Sequence, residues 1–171
     1  MLPSNIAVLP DAAATVSFYQ RLGTPRRKPP HCRLLEHRAI LLSEDIWLMR
    51  LFGDQMKTFD DYIRFSKRLK TVVSPLSADL LNAGHSVVLD FQANAKAGPS
   101  WFRSVFEQAW AAHALHFVSA PDEICLARIA RRNVERPEGS RHLTEEDFFH
   151  VLSYFQAPEE TEGFNVKIHA T

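Results

Sequence analysis

Cysteine is scarce in this sequence: Cys32 and Cys125 stand alone, without CxxC spacing, in a chain of 171 residues. That rules out a disulfide scaffold as the source of stability, argues against a structural zinc site, and reads as two reduced thiols. Charge of one sign is also missing, because 20 Lys plus Arg balance 20 Asp plus Glu. Without a global field, nucleic acid and membrane surfaces are not the expected partners; a small molecule, a nucleotide or one specific protein is. Long apolar runs are absent too. No stretch of about eighteen apolar residues occurs, and the opening "MLPSNIAVLPDAAA" has no basic leader ahead of an apolar segment, so the expected location is the cytoplasm. The eight histidines show no HExxH spacing and no GxSxG occurs, which leaves a metalloprotease or serine-hydrolase reading without support.

What is present from Ala39 onward is an alternation of short apolar runs with longer helical stretches. The runs are "AILLS", "SVVLDF", "ALHFVS" and "FNVKIH". This rhythm predicts a parallel sheet wrapped by helices in one domain. Between the first two runs, Ile63, Leu69, Val72, Val73, Leu76 and Leu80 recur at helical spacing, Gly84 supplies a stop, and Pro75 is expected to kink or divide the segment. "PSWFRSVFEQAWAAH" predicts a helix with Trp101, Val105 and Phe106 on one face. "APDEICLARIARRN" predicts another, with acids in its first turn and arginines near its end. Thr144 followed by Glu145, Glu146 and Asp147 resembles a capping box ahead of Phe148, Val151, Leu152 and Phe155. A strand from Phe164 to His169 closes the domain. The first 38 residues differ: "NIAVLP" suits a strand, "AAATVSFYQRL" a helix, and "GTPRRKPPHCRLLEHR" an irregular loop.

Open parallel sheets bind ligands outside the carboxyl ends of their strands. Four features fall there. Asp45, just past "AILLSE", is placed to hold a hydroxyl or take its proton, although Ser43 or Asp45 could equally be a plain helix cap. Asp90 ends "SVVLD", where a carboxylate can hold magnesium directly or through water, or can simply end a strand; Asn94, four residues on, suits either a ligand contact or a turn. Arg128, Arg131 and Arg132 gather at a helix end before "VERPEGSR", where guanidinium groups could fold over phosphates or merely favour the helix dipole.

Together, "LLSEDIWLMRLFGDQM", "GHSVVLDFQAN", "LHFVSAPDEICLARIARRN" and "TEEDFFHVLSYFQAPEETEGFNVKIH" resemble small bacterial proteins of the P-loop kinase type, described as AAA-type ATP-binding proteins. Their relatives are gluconate, shikimate and nucleoside kinases and zeta-type toxins. The resemblance implies a three-layer α/β/α sandwich with a mainly parallel five-stranded sheet, an ATP:small-molecule phosphotransferase activity, and ATP with magnesium as cofactors. It implies that Asp45 serves the acceptor hydroxyl and Asp90 the magnesium. Asn94 and Arg103 fall on the substrate side, and Arg128, Arg131 and Arg132 in a lid spanning about residues 128–143. Glu162, Gly163 and Phe164 match a terminal motif of structural role. The kinase-like core is residues 39–171, and residues 1–38 are a degenerate segment holding a remnant first strand, phosphate loop and helix.

One departure is severe. The family's phosphate loop is GxxxxGK[ST], whose backbone N–H groups cradle phosphates while the lysine bridges them and the hydroxyl holds magnesium. No Gly-Lys pair occurs anywhere, and only Gly23 precedes Gly53. If "NIAVL" is the first strand, the loop is "PDAAATVS": Pro10 and Thr15 replace the glycines, Val16 the lysine, and Ser17 alone keeps the hydroxyl. Ala95 and Pro99 likewise stand where the resemblance leads one to expect a threonine and an arginine. The expectation is a catalytically impaired kinase-like protein. The alternatives are an active kinase whose grip is rebuilt from Arg26, Arg27 and Lys28 or from the lid arginines, and an ordinary kinase remainder joined to a misassigned start.

Overall fold

The computed structural model describes residues 15–21, 39–91 and 97–170. Five strands, β1 (Thr15–Arg21), β2 (Ala39–Ser43), β3 (Ser86–Asp90), β4 (Ala112–Ser119) and β5 (Val166–Ala170), form one sheet in the order β2-β3-β1-β4-β5. Every pairing in it is parallel. All carboxyl ends therefore lie on one edge.

The position of β1 corrects the reading of the N-terminal segment. "TVSFYQR" is a strand, not part of a helix. Thr15, Val16, Phe18 and Tyr19 are the β-branched and aromatic types that fit a pleated surface, and the strand gains pairing along its whole length with β4 and over Val16–Phe18 with β3. Tertiary pairing outweighs the local helical pattern. Residues 5–10, read as the first strand, lie outside the described residues.

The helices are α1 (Glu44–Phe52), α2 (Phe59–Asn82), α3 (Ala97–Ala109), α4 (Asp122–Glu135) and α5 (Glu145–Ser153), with a 3-10 turn at Glu160–Glu162. Strand alternation assigns faces: Leu42, Val87 and Leu89 join the main core with Phe65, Leu69, Val73 and Leu81 of α2 and Phe102, Val105 and Phe106 of α3. Val88 points the other way and packs with Ala39 and Leu41. A satellite core of Cys125, Ile129 and Phe148 joins α4 to α5.

Pro75 does not divide α2, which runs unbroken for 24 residues. A missing N–H at that point costs one intrahelical bond, roughly 3 kcal/mol with its steric strain. Burial of Phe65, Leu69, Val73 and Leu81 at about 1.5–3 kcal/mol each outweighs it. A reciprocal capping box between Thr58 and Asp61 fixes the start of α2, and Gly84, at φ +86°, releases the chain into β3. Ile63 and Val72, expected on the apolar face, are exposed instead. The capping box read at Thr144 is present, with Asp147 as its acid.

Candidate functional site

β2 delivers the first acids to the ligand edge. Ser43 ends that strand level with Asp90, the last residue of β3. α1 then begins at once, placing Glu44 and Asp45 in its first turn, where the helix dipole favours negative charge. Ser43 makes no side-chain cap bond, so the simple capping role considered for it is not what the hydroxyl does.

The two acids have opposite surroundings. Glu44 is buried, and its carboxylate accepts hydrogen bonds from Tyr62 Oη at 3.1 Å and Ser66 Oγ at 2.5 Å, both on α2. Asp45 is turned outward and partly exposed, with Oδ2 3.6 Å from Arg132 Nη2 of α4. Burial, then the charges of Glu44 and Asp45, push the Tyr62 phenol well above its usual range, while Arg141 pulls the other way. Arg141 lies over the Tyr62 ring at 5.8 Å.

The chain from 136 to 144 packs against this acid turn. Gly139 has φ +77°, and a Cβ there would meet Ile46 N at 2.9 Å and the Asp45 carbonyl carbon at 3.1 Å. No side chain could sit there without moving the loop or α1. Asn133 clamps the loop's far end, donating from Nδ2 to the Leu143 carbonyl at 2.7 Å and accepting the Leu143 N–H at 3.1 Å. Arg50 on α1 pairs with Glu138 at 2.6 Å.

The three arginines of α4 are separated by helical geometry. Arg128 and Arg132, four residues apart, share a half-buried face, and Arg132 reaches Asp45. Arg131 is turned to solvent and pairs with Glu135 of its own helix at 2.6 Å.

Two other expected site residues are also displaced. Arg103 donates through Nη2 to the Glu162 carbonyl, stands 5.4 Å from the Phe164 ring, and lies 3.6 Å from Glu107. Glu162 and Phe164 precede β5, so this guanidinium ties α3 to the amino end of the sheet, opposite the ligand edge. It is a clamp in the fold. Ser17 sits in the middle of β1, paired with Val88 and Ala114, so the last three residues of "PDAAATVS" belong to a strand and not to a loop. Asn94 and Pro10 lie outside the described residues.

Sequence reasoning missed Glu44, Tyr62, Arg141 and Gly139. Gly139 in "RPEGS" was the one with a usable signal, since glycine after proline and glutamate marks a turn that needs positive φ. The partnership of Glu44 with Tyr62 and Ser66 joins residues 18 and 22 positions apart, and no local pattern announces it.

A parallel sheet in this order, an acid at the exit of β2, another at the end of β3 and an arginine-bearing helix after β4 define an α/β fold of the P-loop kinase type. Solved structures show the same architecture. A suspected kinase from Chloroflexus aurantiacus is similar with TM-score 0.65 at 15% identity, over 93% of this chain and 89% of that one. The Mycobacterium tuberculosis APS kinase CysC, solved in complex with AMPPNP and APS, is similar with TM-score 0.58 at 20% identity, over 92% and 88%. A gluconokinase from Sinorhizobium meliloti is similar with TM-score 0.53 at 11% identity, over 92% and 82%. Residues 31–158 match the AAA domain family, and the chain belongs to it. Among curated proteins, none matches. No helix among the described residues is long and apolar enough to cross a membrane, and no cluster of three metal-ligating side chains occurs among them.

Proposed function

We propose that this protein is a small-molecule phosphotransferase of the P-loop kinase type whose acceptor side is retained and whose phosphate grip is degraded. The supporting observation is the Asp45–Arg132 pair, formed on the ligand edge of a chain that has no Gly-Lys pair. In this reading Asp45 holds the acceptor hydroxyl and can take its proton, while Arg132 and Arg128 offset charge on a transferred phosphoryl group. Residues 128–143 act as the lid, and Asn94 contributes a substrate contact. Asp90 is the residue to hold magnesium, directly or through water; one carboxylate plus phosphate oxygens suits a cation that keeps several waters. Magnesium would supply charge neutralisation there.

The missing lysine bears on affinity and rate alike. Loss of one preorganised electrostatic contributor commonly costs about 3–4 kcal/mol of transition-state stabilisation. The expected nucleotide affinity is therefore weak. A second reading is favoured by one observation: with β1 ending at Arg21, the segment that leaves its carboxyl end carries Gly23, Arg26, Arg27 and Lys28. Those cations are then in the part of the chain from which this fold builds its phosphate loop, and they supply a rebuilt grip.

Thermal stabilisation by ATP with magnesium separates the two. A ligand at a thousand times its dissociation constant adds about 4 kcal/mol, a readily measured rise in Tm. The degraded grip predicts little or no rise at millimolar ATP. A clear rise, abolished by Asp90→Ala and accompanied by turnover that Asp45→Asn removes, overturns it in favour of the rebuilt grip.

A further inference from the structure

His113, near the start of β4, is a half-buried titratable ring that the phosphotransfer reading leaves unused, and it lies at the amino end of the sheet, away from the ligand edge. Its imidazole stacks on Phe106 of α3 with ring centroids 3.8 Å apart and meets the edge of Phe164 at 5.8 Å. Nε2 accepts the Asn165 N–H at 3.3 Å, and the Gly163 backbone makes a second hydrogen bond with the ring. An imidazole nitrogen accepts only while it carries no proton, so the contact with Asn165 requires the neutral ring.

Asn165 is the residue before β5. Its carbonyl accepts the Leu115 N–H at 2.9 Å, so one residue is tied to β4 twice, once through the backbone and once through His113. β5 ends the sheet and pairs with β4 alone. Upstream, Arg103 holds the Glu162 carbonyl and stands over the Phe164 ring. The entry to the edge strand, residues 162–165, is therefore held by two basic side chains, and a strand paired on one side only is among the first elements to open.

The charges around the ring decide what protonation does. α3 presents Arg103 and Glu107, 3.6 Å apart, and the 3-10 turn presents Glu162, whose carboxylate accepts the Glu159 N–H. Val16, opposite His113 on β1, is uncharged; Val166 of β5 packs on the main core, which puts Lys167 on the other face. Burial most of all lowers the imidazole below its usual range, the Gly163 bond works against that, and Arg103 adds to it. A proton on Nε2 sets two N–H groups against each other at Asn165 and adds a like charge beside Arg103. We propose that His113 is an acid-sensitive latch on the edge strand: neutral, it holds residues 162–165 and β5 against β4; protonated, it releases them. With the folded value below the ordinary one of about 6.5, the latch is fully engaged above that pH and loses hold as pH falls from there through the folded value.

The test follows backbone amide exchange of the full-length chain at about pH 7.5 and about pH 5.5, corrected for the intrinsic effect of pH on exchange. Protection over residues 162–170 is expected to fall by up to about tenfold per pH unit below about 6.5, while β3 keeps its protection. In His113→Gln, whose amide oxygen can accept the same N–H without titrating, that pH dependence should vanish. Equal protection at both pH values in the parent overturns the proposal. So does a loss shared equally by β3, because acid is then loosening the whole domain, and so does a loss that persists in His113→Gln, because Glu107 or Glu162 is then the group that titrates. If that variant fails to fold, the parent decides alone: the His113 ring protons, followed by NMR, should titrate below about 6.5, and a midpoint at or above that value overturns the latch.

Discussion

Arg103 and Arg132 are both half-buried arginines, one on α3 and one on α4, and they sit toward opposite ends of the sheet. At the amino end, Arg103 is satisfied by the chain itself: a carbonyl, a carboxylate and an aromatic ring surround it. At the carboxyl end, Arg132 reaches Asp45 at 3.6 Å, longer than a hydrogen bond, and Arg141 lies over the Tyr62 ring. The same residue type is tied into the fold at one end and stands beside the strand-exit acid Asp45 at the other. Position on a parallel sheet, more than residue identity, decides between them.

The largest expected effect lies just beneath the ligand edge. Glu44→Ala removes the acceptor of both the half-buried Tyr62 and the buried Ser66 hydroxyl, so a loss of about 3 kcal/mol is expected from urea unfolding. Glu44→Gln keeps the shape but removes the charge that, after burial, most raises the Tyr62 phenol; ultraviolet titration should show that phenol ionising at lower pH. The sign follows from linkage. A phenol whose folded pKa is raised contributes stability that is fully present below its unfolded pKa of about 10 and is lost as pH rises from there through the folded value, so the alkaline loss should end sooner and be smaller in Glu44→Gln.

Arg103→Ala should cost about 2 kcal/mol, the scale of a lost hydrogen bond to a charged group, with no effect on any ligand titration. A variant that kept full stability but changed ligand affinity would break the comparison, because it would put Arg103 at a binding site. Gly139→Ala comes next. A Cβ at φ +77° facing backbone 2.9 Å away forces the loop off α1, at about 1–2 kcal/mol, and hydrogen exchange should rise across residues 136–144 before the core responds.

How far the sequence foretold this follows from which forces were local. β2 came out with the boundaries read from "AILLS", and β3 and β4 close to them, because each apolar run is flanked by its own turn signals. The Thr144 cap and the helix at 122–135 were equally legible, since their determinants lie within a few residues. β1 was misread because "ATVSFYQRL" has helical periodicity and its strand state depends on β3 and β4, about 70 and 100 positions away. At the site, Asp45 and Arg132 were named from the sequence and the fold brings them together. Arg103 was named from the resemblance alone and Arg131 with the arginine cluster, and in the fold they meet the Glu162 carbonyl and the Glu135 carboxylate. Partnership, not exposure or type, was the missing information.

The smallest expected effect discriminates best. Asp45→Asn and Arg132→Ala each remove one member of a partly exposed pair at 3.6 Å, and such pairs contribute about 0–1 kcal/mol. Stability should therefore barely change in either variant. If the pair were a structural bridge like that of Arg103, both variants would lose about 2 kcal/mol and the double variant no more than either alone. If it is the resting state of a ligand site, the two variants match the parent in urea and part from it only when ligand is added. Asp45→Asn should weaken binding of the alcohol end of an acceptor by about tenfold, since a neutral amide replaces a charged hydrogen-bond acceptor. Arg132→Ala should leave that binding unchanged and reduce affinity for tripolyphosphate, a probe of the phosphate side alone. A pair whose members fail on different ligands is two halves of a site; a pair whose members fail together in urea is part of the fold.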